Sequence, residues 1–185
     1  MTIENTIFLL EDGSVGTLCL PDATTENGKA MLRYLYQVSS ETPYNGRSAE
    51  DVTLLTVEDQ VAWFQKSLDS KDSISFVCVQ NGQVIGSCEV ELLPWKRCRH
   101  RARLALSVLK DYWGLGVGSA MLAHMLNILR GFNYIRQVEL EVYETNTRAR
   151  GLYEKYGFRL MSVQPDALQL DDGTMLDAYH MMCRL

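Results

Sequence analysis

Polar and apolar residues alternate along this chain in three paired runs, each pair separated by a turn signal. Ile7–Leu10 and Val15–Leu20 flank Glu11-Asp12-Gly13-Ser14, Ser75–Gln80 and Gln83–Leu92 flank Asn81-Gly82, and Arg159–Val163 reaches Met175–Met182 through Asp171-Asp172-Gly173. Asp-Gly and Asn-Gly supply the positive backbone angles of tight turns, so each pair reads as a β-hairpin. Between the hairpins the apolar period lengthens to that of a helix. Met31, Leu32, Leu35 and Val38 mark the buried stripe of a helix running from Thr24 or Thr25 to Val38. Polar Ser39 to Val52, with Pro43 and Gly46, reads as a loop. Thr56-Val57-Glu58-Asp59 then has the form of a capping box, ahead of an apolar face made by Val57, Val61, Phe64 and Leu68.

The second half has a different rhythm. The apolar run Leu104–Leu109 leads into a glycine-rich stretch and then a segment from Ser119 to Leu129, with Met121, Leu122, Met125, Leu126 and Leu129 at helical spacing. A second strand, Val138–Val142, precedes another helix that ends at Gly157-Phe158. The fold class is therefore α/β (α+β). A mixed, mostly antiparallel sheet of about seven strands is expected, flanked by helices and holding one parallel crossover, from the strand ending at Leu109 to Val138–Val142.

Length and composition narrow this picture. At 185 residues, 46% of them hydrophobic, the chain suits one domain, and no repeat or linker-like tract divides residues 1–185. The opening Met1-Thr2-Ile3-Glu4-Asn5-Thr6 lacks the charged and apolar regions of a secretory signal. No apolar run approaches the roughly 20 residues of a membrane helix, so no membrane is expected as a partner. Five scattered cysteines without C-x-x-C spacing suit reduced thiols in a cytoplasm and offer no zinc site. A net charge of −5 argues against nucleic acid as a partner and mildly favours amine substrates. The basic cluster Lys96–Arg103 lacks interleaved aromatic residues and reads as solvated; His100 within it is a reserve base.

The candidate chemistry lies at Tyr112-Trp113-Gly114-Leu115-Gly116-Val117-Gly118-Ser119. Glycines at alternate positions let a ligand approach the backbone, and their N–H groups stand at a helix N-terminus, where unpaired donors and the helix dipole favour an anion. A tight turn needing glycine only for its backbone angles is the plainer reading. A mononucleotide P-loop requires Lys after its last glycine, and Ser119 stands there instead. A dinucleotide fingerprint remains open, with Glu139 or Glu141 at a tolerable distance for a ribose contact, although Ser119 stands where its third glycine belongs.

Trp113 to Gly118 resembles the acyl-CoA pyrophosphate loop of the GNAT N-acetyltransferase superfamily, in which Gln or Arg, two residues, Gly, one residue, and Gly or Ala follow one another. Leu140-Glu141-Val142 through Asn146, Ala149, Leu152-Tyr153 and Gly157-Phe158 resembles that superfamily's second hallmark, in the same order and at the same separation. Trp113 departs from the usual Gln or Arg, which puts the side-chain contact at that corner in doubt.

The resemblance implies the GNAT fold and an acetyl-CoA-dependent N-acetyltransferase that acts by direct transfer in a ternary complex. It implies that the backbone from Trp113 to Ser119 (Gly114, Leu115, Gly116, Val117 and Gly118 between them) holds the pyrophosphate. Ser107, Val108 and Leu109 would offer main-chain bonds to the pantetheine arm, with an N–H there, that of Val108, on the thioester oxygen. Asn146 would bond the cofactor arm, its plainer role being a helix N-cap. Tyr153 would protonate the leaving sulfur, since a phenol is protonated at neutral pH. Taken alone, Tyr153 reads as a half-buried helix residue with its hydroxyl at the surface.

Two carboxylates compete for the base. Glu141 matches the protein N-terminal acetyltransferase branch, and Glu89 shares one face of its strand with Ser87 and Glu91. Either also reads as a solvated strand residue. Glu41, Tyr44 and Asn45 would sit by the acceptor pocket, or in a solvated loop. A CoA-binding module without catalysis and a nicotinamide-dependent oxidoreductase are the alternatives. The acceptor and the oligomeric state, homodimer included, stay open.

Overall fold

A computed structural model of the chain describes residues 5–185; Met1–Glu4, part of the stretch read as lacking a secretory signal, lie outside the described residues. Among the described residues, eight strands are hydrogen-bonded in the order β1-β2-β3-β4-β5-β6-β8-β7, in keeping with the expected sheet of about seven. The strands are β1 (Thr6–Leu9), β2 (Val15–Cys19), β3 (Ser73–Gln80), β4 (Gln83–Leu92), β5 (Arg101–Val108), β6 (Gln137–Tyr143), β7 (Arg159–Gln169) and β8 (Met175–Arg184). The helices are α1 (Thr25–Glu41), α2 (Ala49–Thr53), α3 (Val57–Asp69), α4 (Val117–Arg130) and α5 (Thr147–Lys155). The chain forms two compact units: the stretch through Val90 with Leu106–Leu122, and Glu91–Ala105 with Ala123–Leu185.

In the first unit, the hairpin glycines behave as their turns require: Gly13 has φ +83°, and Asn81 and Gly82 have φ +49° and +77°. The β1 and β2 strands pair antiparallel, as do β2 and β3. Thr24 caps α1 and the Thr56/Asp59 capping box starts α3. Three expectations need correction here. Residues 39–52 are not one loop, because α1 continues to Glu41 and a second capping box, Ser48 with Asp51, nucleates α2. The buried face of α1 centres on Met31, Tyr34 and Val38 rather than on Leu32 and Leu35, which are half-buried. Leu68 of α3 is exposed, and its place on the buried face goes to Gln60 and Ser67 beside Phe64.

Helix α4 starts at Val117, two residues before the apolar spacing begins, because the Ala120 N–H already bonds the Gly116 carbonyl at 2.9 Å. Gly86, in the interior of β4, marks a close approach: a Cβ there would stand 2.7 Å from Met121 Sδ and 3.3 Å from the Ser107 carbonyl oxygen. Phe64, Phe76, Ile85, Leu109, Met121 and Leu122 are fully buried. Each contributes about 1.5–3 kcal/mol by leaving water.

In the second unit, β5 pairs with β6 in parallel, Arg101 to Arg103 against Gln137 to Glu139. Strand β8 lies antiparallel between β6 and β7. Val138, Leu140 and Val142 of β6 are buried, so alternation turns Gln137, Glu139 and Glu141 to the opposite face. The β7–β8 register shifts between Gln164 and Leu168, around Asp166 at φ +52°. Helix α5 ends at Gly157 (φ +85°), whose N–H bonds the Glu154 carbonyl while the Phe158 N–H bonds that of Tyr153, both at 3.0 Å. This is a Schellman motif. Tyr153 itself is 5% exposed, which corrects its reading as a half-buried surface phenol.

Candidate functional site

The glycine stretch is held from three directions within the first unit. Leu109 donates its N–H to the Ile85 carbonyl at 2.9 Å and its carbonyl accepts from Tyr112 at 3.0 Å, opening a 3₁₀ turn over Lys110–Tyr112. The Trp113 indole Nε1 folds back and donates to the Val108 carbonyl at 2.8 Å. The Glu11 N–H, in the β1–β2 turn, donates to the Leu115 carbonyl at 3.1 Å. Gly114 and Gly116 adopt φ +81° and +86°, angles that an L side chain resists, so the alternate glycines are required by the path of the backbone itself.

That path delivers a helix N-terminus. The first intrahelical bond of α4 is that from Ala120 to Gly116, so the N–H groups of Val117 and Gly118 precede the ladder, with Ser119 directly behind them. No acidic residue occupies the first turn of α4. The dipole and donors therefore present a positive end suited to a phosphate. Glu11 lies close to the loop: a Cβ at Gly116 would be 3.9 Å from its Oε1.

The strand end beside the loop is more committed than the sequence suggests. Tyr34, 2% exposed, places its hydroxyl 3.0 Å from the Ser107 carbonyl, to which it donates, and 2.7 Å from Ser107 Oγ. Burial pushes the Tyr34 phenol well above its ordinary range, partly offset by the Ser107 bond, so it stays a donor at every working pH. Of the three residues expected to bond a pantetheine arm, Ser107 and Val108 have carbonyls engaged by Tyr34 and Trp113, and Leu109 has both main-chain groups engaged. Along a strand, main-chain groups alternate in direction. The Val108 N–H therefore points away from Ile85, to the side of its own carbonyl.

Glu41, expected beside an acceptor, instead accepts the Lys110 N–H on Oε2 at 2.7 Å, and Gln37 Nε2 donates to its other oxygen at 2.7 Å. Asn45 donates to Ser39 Oγ at 3.4 Å. Glu89 stands half-buried on β4, next to Cys88, whose thiol burial pushes up.

In the second unit, Asn146 caps α5, its side chain accepting from the Ala149 N–H at 3.2 Å. The turn before it is braced by Glu144, whose N–H donates to the Asp177 carbonyl at 3.0 Å. The Tyr153 ring lies 5.7 Å from that of Phe158. Glu141 faces His180 directly across the β6–β8 pair, with 3.8 Å between Oε2 and Nδ1. Two residues earlier, Glu139 takes a bidentate pair from Arg101 at 2.6 and 2.7 Å and a bond from Gln137 at 2.7 Å, which holds its carboxyl below the usual range. Reasoning from sequence missed Tyr34, His180 and the Arg101–Glu139 pair. Tyr34 lies on the helical stripe between Met31 and Val38, a signal for burial but none for its partner. His100 uses its carbonyl to accept from Arg136 and Gln137, a structural role.

Comparison with known proteins agrees with this architecture. The sequence pattern of the Acetyltransferase (GNAT) family matches residues 32–158, from α1 through the glycine loop to Phe158. The L-amino acid N-acetyltransferase AaaT of Escherichia coli (strain K12) is 26% identical over 119 residues, covering 64% of this chain and 73% of that protein. N-alpha-acetyltransferase 50 of Danio rerio is 28% identical over 152 residues, covering 80% and 79%. A crystal structure of a GNAT-family acetyltransferase from Streptococcus pneumoniae superposes with a TM-score of 0.82 at 25% identity, covering 92% of this chain and 99% of that one. The chain is an acyltransferase and belongs to the GNAT acetyltransferase family.

Proposed function

We propose that this acyltransferase moves an acetyl group from acetyl-CoA to the primary amine of an acceptor by direct attack in a ternary complex, the whole chain acting as one catalytic domain in the cytoplasm. The observation that carries the reading is the pair of left-handed glycines, Gly114 and Gly116, feeding the start of α4, whose first turn carries no acidic residue. The backbone of the loop receives the pyrophosphate at the start of α4, where the first turn carries no acidic residue, while the N–H groups of Trp113 and Leu115 are held by the Lys110 and Tyr112 carbonyls at 3.0 and 3.4 Å. Acetyl-CoA supplies an acyl carbon activated as a thioester.

The residues of the chain manage protons and charge around that carbon. The Val108 N–H, on a strand end locked by the Trp113 and Tyr34 bonds, steadies the thioester oxygen as negative charge develops. Glu141 takes one proton from the incoming ammonium, directly or through water, which exposes the nitrogen lone pair. The nitrogen forms its bond to the acyl carbon and the carbon–sulfur bond breaks. Tyr153 gives its phenolic proton to the departing sulfur and recovers one from the new amide nitrogen. Asn146, besides capping α5, bonds the cofactor arm. Glu89 is the alternative base.

One relative is named an L-amino acid N-acetyltransferase and the other an N-alpha-acetyltransferase, and these names support an α-amine acceptor here. Thermal shifts with CoA, acetyl-CoA and a reduced nicotinamide dinucleotide, followed by mass-spectrometric screening of an amine panel, test the reading. Only a ligand that prefers the native state raises the melting point. Stabilisation by acetyl-CoA with an acetylated amine is expected. Stabilisation by the dinucleotide alone would replace the reading with an oxidoreductase, and CoA binding without transfer to any amine would leave a binding module.

A further inference from the structure

Resting on the acyltransferase reading, we infer that the groove on the face of β5, β6, β8 and β7 takes a free α-amino acid as acceptor, with Glu141 at its ammonium and Arg103 at its carboxylate. The groove encloses about 670 Å³ and lies wholly within the second unit. That is ample for an amino acid.

Its charged groups divide by how firmly each is partnered. Arg101 and Glu139 close on each other in a bidentate pair, and Gln137 completes the Glu139 shell. Those two charges are satisfied. Arg103 meets Glu91 only at 3.7 Å, and the two side chains are 60% and 59% exposed, so the contact is loose. Glu141 meets His180 at 3.8 Å, beyond hydrogen-bond distance. One cation and one anion are thus left weakly held on the same wall.

Register sets their separation. Arg103 is opposite Glu139 in the parallel pair, and Glu141 is two residues further along β6. With strands about 4.8 Å apart and about 3.3 Å of rise per residue, the two Cα atoms are about 8 Å apart. Arg103 leans toward Glu91 on β4 and Glu141 toward His180 on β8, and both side chains are long enough to turn from these loose contacts onto the two ends of one zwitterion. A guanidinium suits the carboxylate because its fork matches two oxygens. Met161 and Met182 supply apolar lining for the acceptor's side chain, the thioethers adapting to different shapes. A peptide N-terminus or a simple amine has no carboxylate at that distance, and so leaves Arg103 without a partner. The transfer itself is unchanged: the amine nitrogen bonds the acyl carbon, the sulfur leaves, one proton goes to Glu141 and one to the sulfur.

Initial rates of the full chain with acetyl-CoA and the twenty L-amino acids, their methyl esters and the matching carboxylate-free amines test this. At least one free amino acid is expected to exceed its ester and amine in kcat/KM by about tenfold or more, the effect of one charge-assisted contact. Arg103→Gln should raise KM for that amino acid by a similar factor and erase its advantage over the ester, with Arg103→Lys in between. The thermal shift produced by acetyl-CoA should stay as in the wild type, which shows that the variant is folded. Acetylation of esters, amines or peptides as readily as of free acids, no acetylation of any amino acid, or an unchanged KM in Arg103→Gln would overturn the inference. Any transfer to the other amines would still leave the acetyltransferase reading standing, whereas failure to bind acetyl-CoA would remove both.

Discussion

The aromatic rings of Tyr153 and Phe158 lie 5.7 Å apart, and the Phe158 N–H bonds the Tyr153 carbonyl at 3.0 Å. The two contacts belong to one device. In a Schellman motif the residue two beyond the cap returns its N–H to the third-last helical residue and packs on it. The exit of α5 therefore fixes the rotamer of the phenol proposed as the acid.

Replacing Tyr153 with Phe keeps the ring, its burial and its contact with Phe158 while removing the acidic proton. Turnover is expected to fall by about 10²-fold or more, with acetyl-CoA affinity retained. Thiol release measures the first and calorimetry the second. An unaltered kcat with a verified acceptor would take Tyr153 out of the mechanism. Phe158→Ala should cost about 3–5 kcal/mol of stability, since it empties a fully packed site.

Gly116→Ala tests the cradle. The new Cβ would meet Glu11 Cγ at 3.7 Å, an ordinary contact, so the cost is the left-handed φ of +86°, about 1–2 kcal/mol. Gly82→Ala carries similar strain at φ +77° with nothing nearby. Both variants should melt a few degrees lower, but only Gly116→Ala should also weaken acetyl-CoA binding. Equal affinities in the two would show that the loop does not hold the pyrophosphate.

Trp113→Phe removes the 2.8 Å bond to the Val108 carbonyl and leaves an aromatic side chain in place. A loss of about 1 kcal/mol is expected. Because Val108 is freed while the glycines remain, KM for acetyl-CoA should rise a few-fold. A steady-state titration of acetyl-CoA at saturating amine reads this directly, and wild-type KM would show the strand end needs no such tie.

Stability should depend on Glu139 in acid. Hydrogen bonds from Arg101 and Gln137 hold its folded pKa below the ordinary 4.5. A depressed carboxylate stabilises the fold above the unfolded pKa, and that stability is lost as pH falls through the folded value. Denaturant melts between pH 7 and pH 3 should therefore show a steeper loss below about pH 4.5 in the wild type than in Glu139→Gln. Parallel curves would show that the pair contributes nothing to the acid limb.

The local devices were legible because each is settled within a few residues. Asp12-Gly13, Asn81-Gly82 and Asp172-Gly173 dictate turns through the positive φ of their glycines, +83°, +77° and +85°. Thr56 and Asp59 satisfy each other's backbone N–H groups across one helical turn. Asn146 accepts the Ala149 N–H at the start of α5. The glycine loop and the Tyr153–Phe158 exit were readable for the same reason. The Ser48/Asp51 capping box is of this kind too, and was hidden among the polar residues of the stretch taken for a loop.

Amino-acid order thus determined the turns, the caps, the helix and strand periods and the family to which the loop belongs, all matters of sterics and hydrogen bonding over a handful of residues. Folding alone decided that Tyr34 meets Ser107 across 73 positions, that Glu41 meets Lys110 across 69 and that Arg101 meets Glu139 across 38. Such partnerships depend on which strands lie side by side and in which register. A register is chosen by the burial of a whole sheet face at once, and no short stretch of residues carries that information.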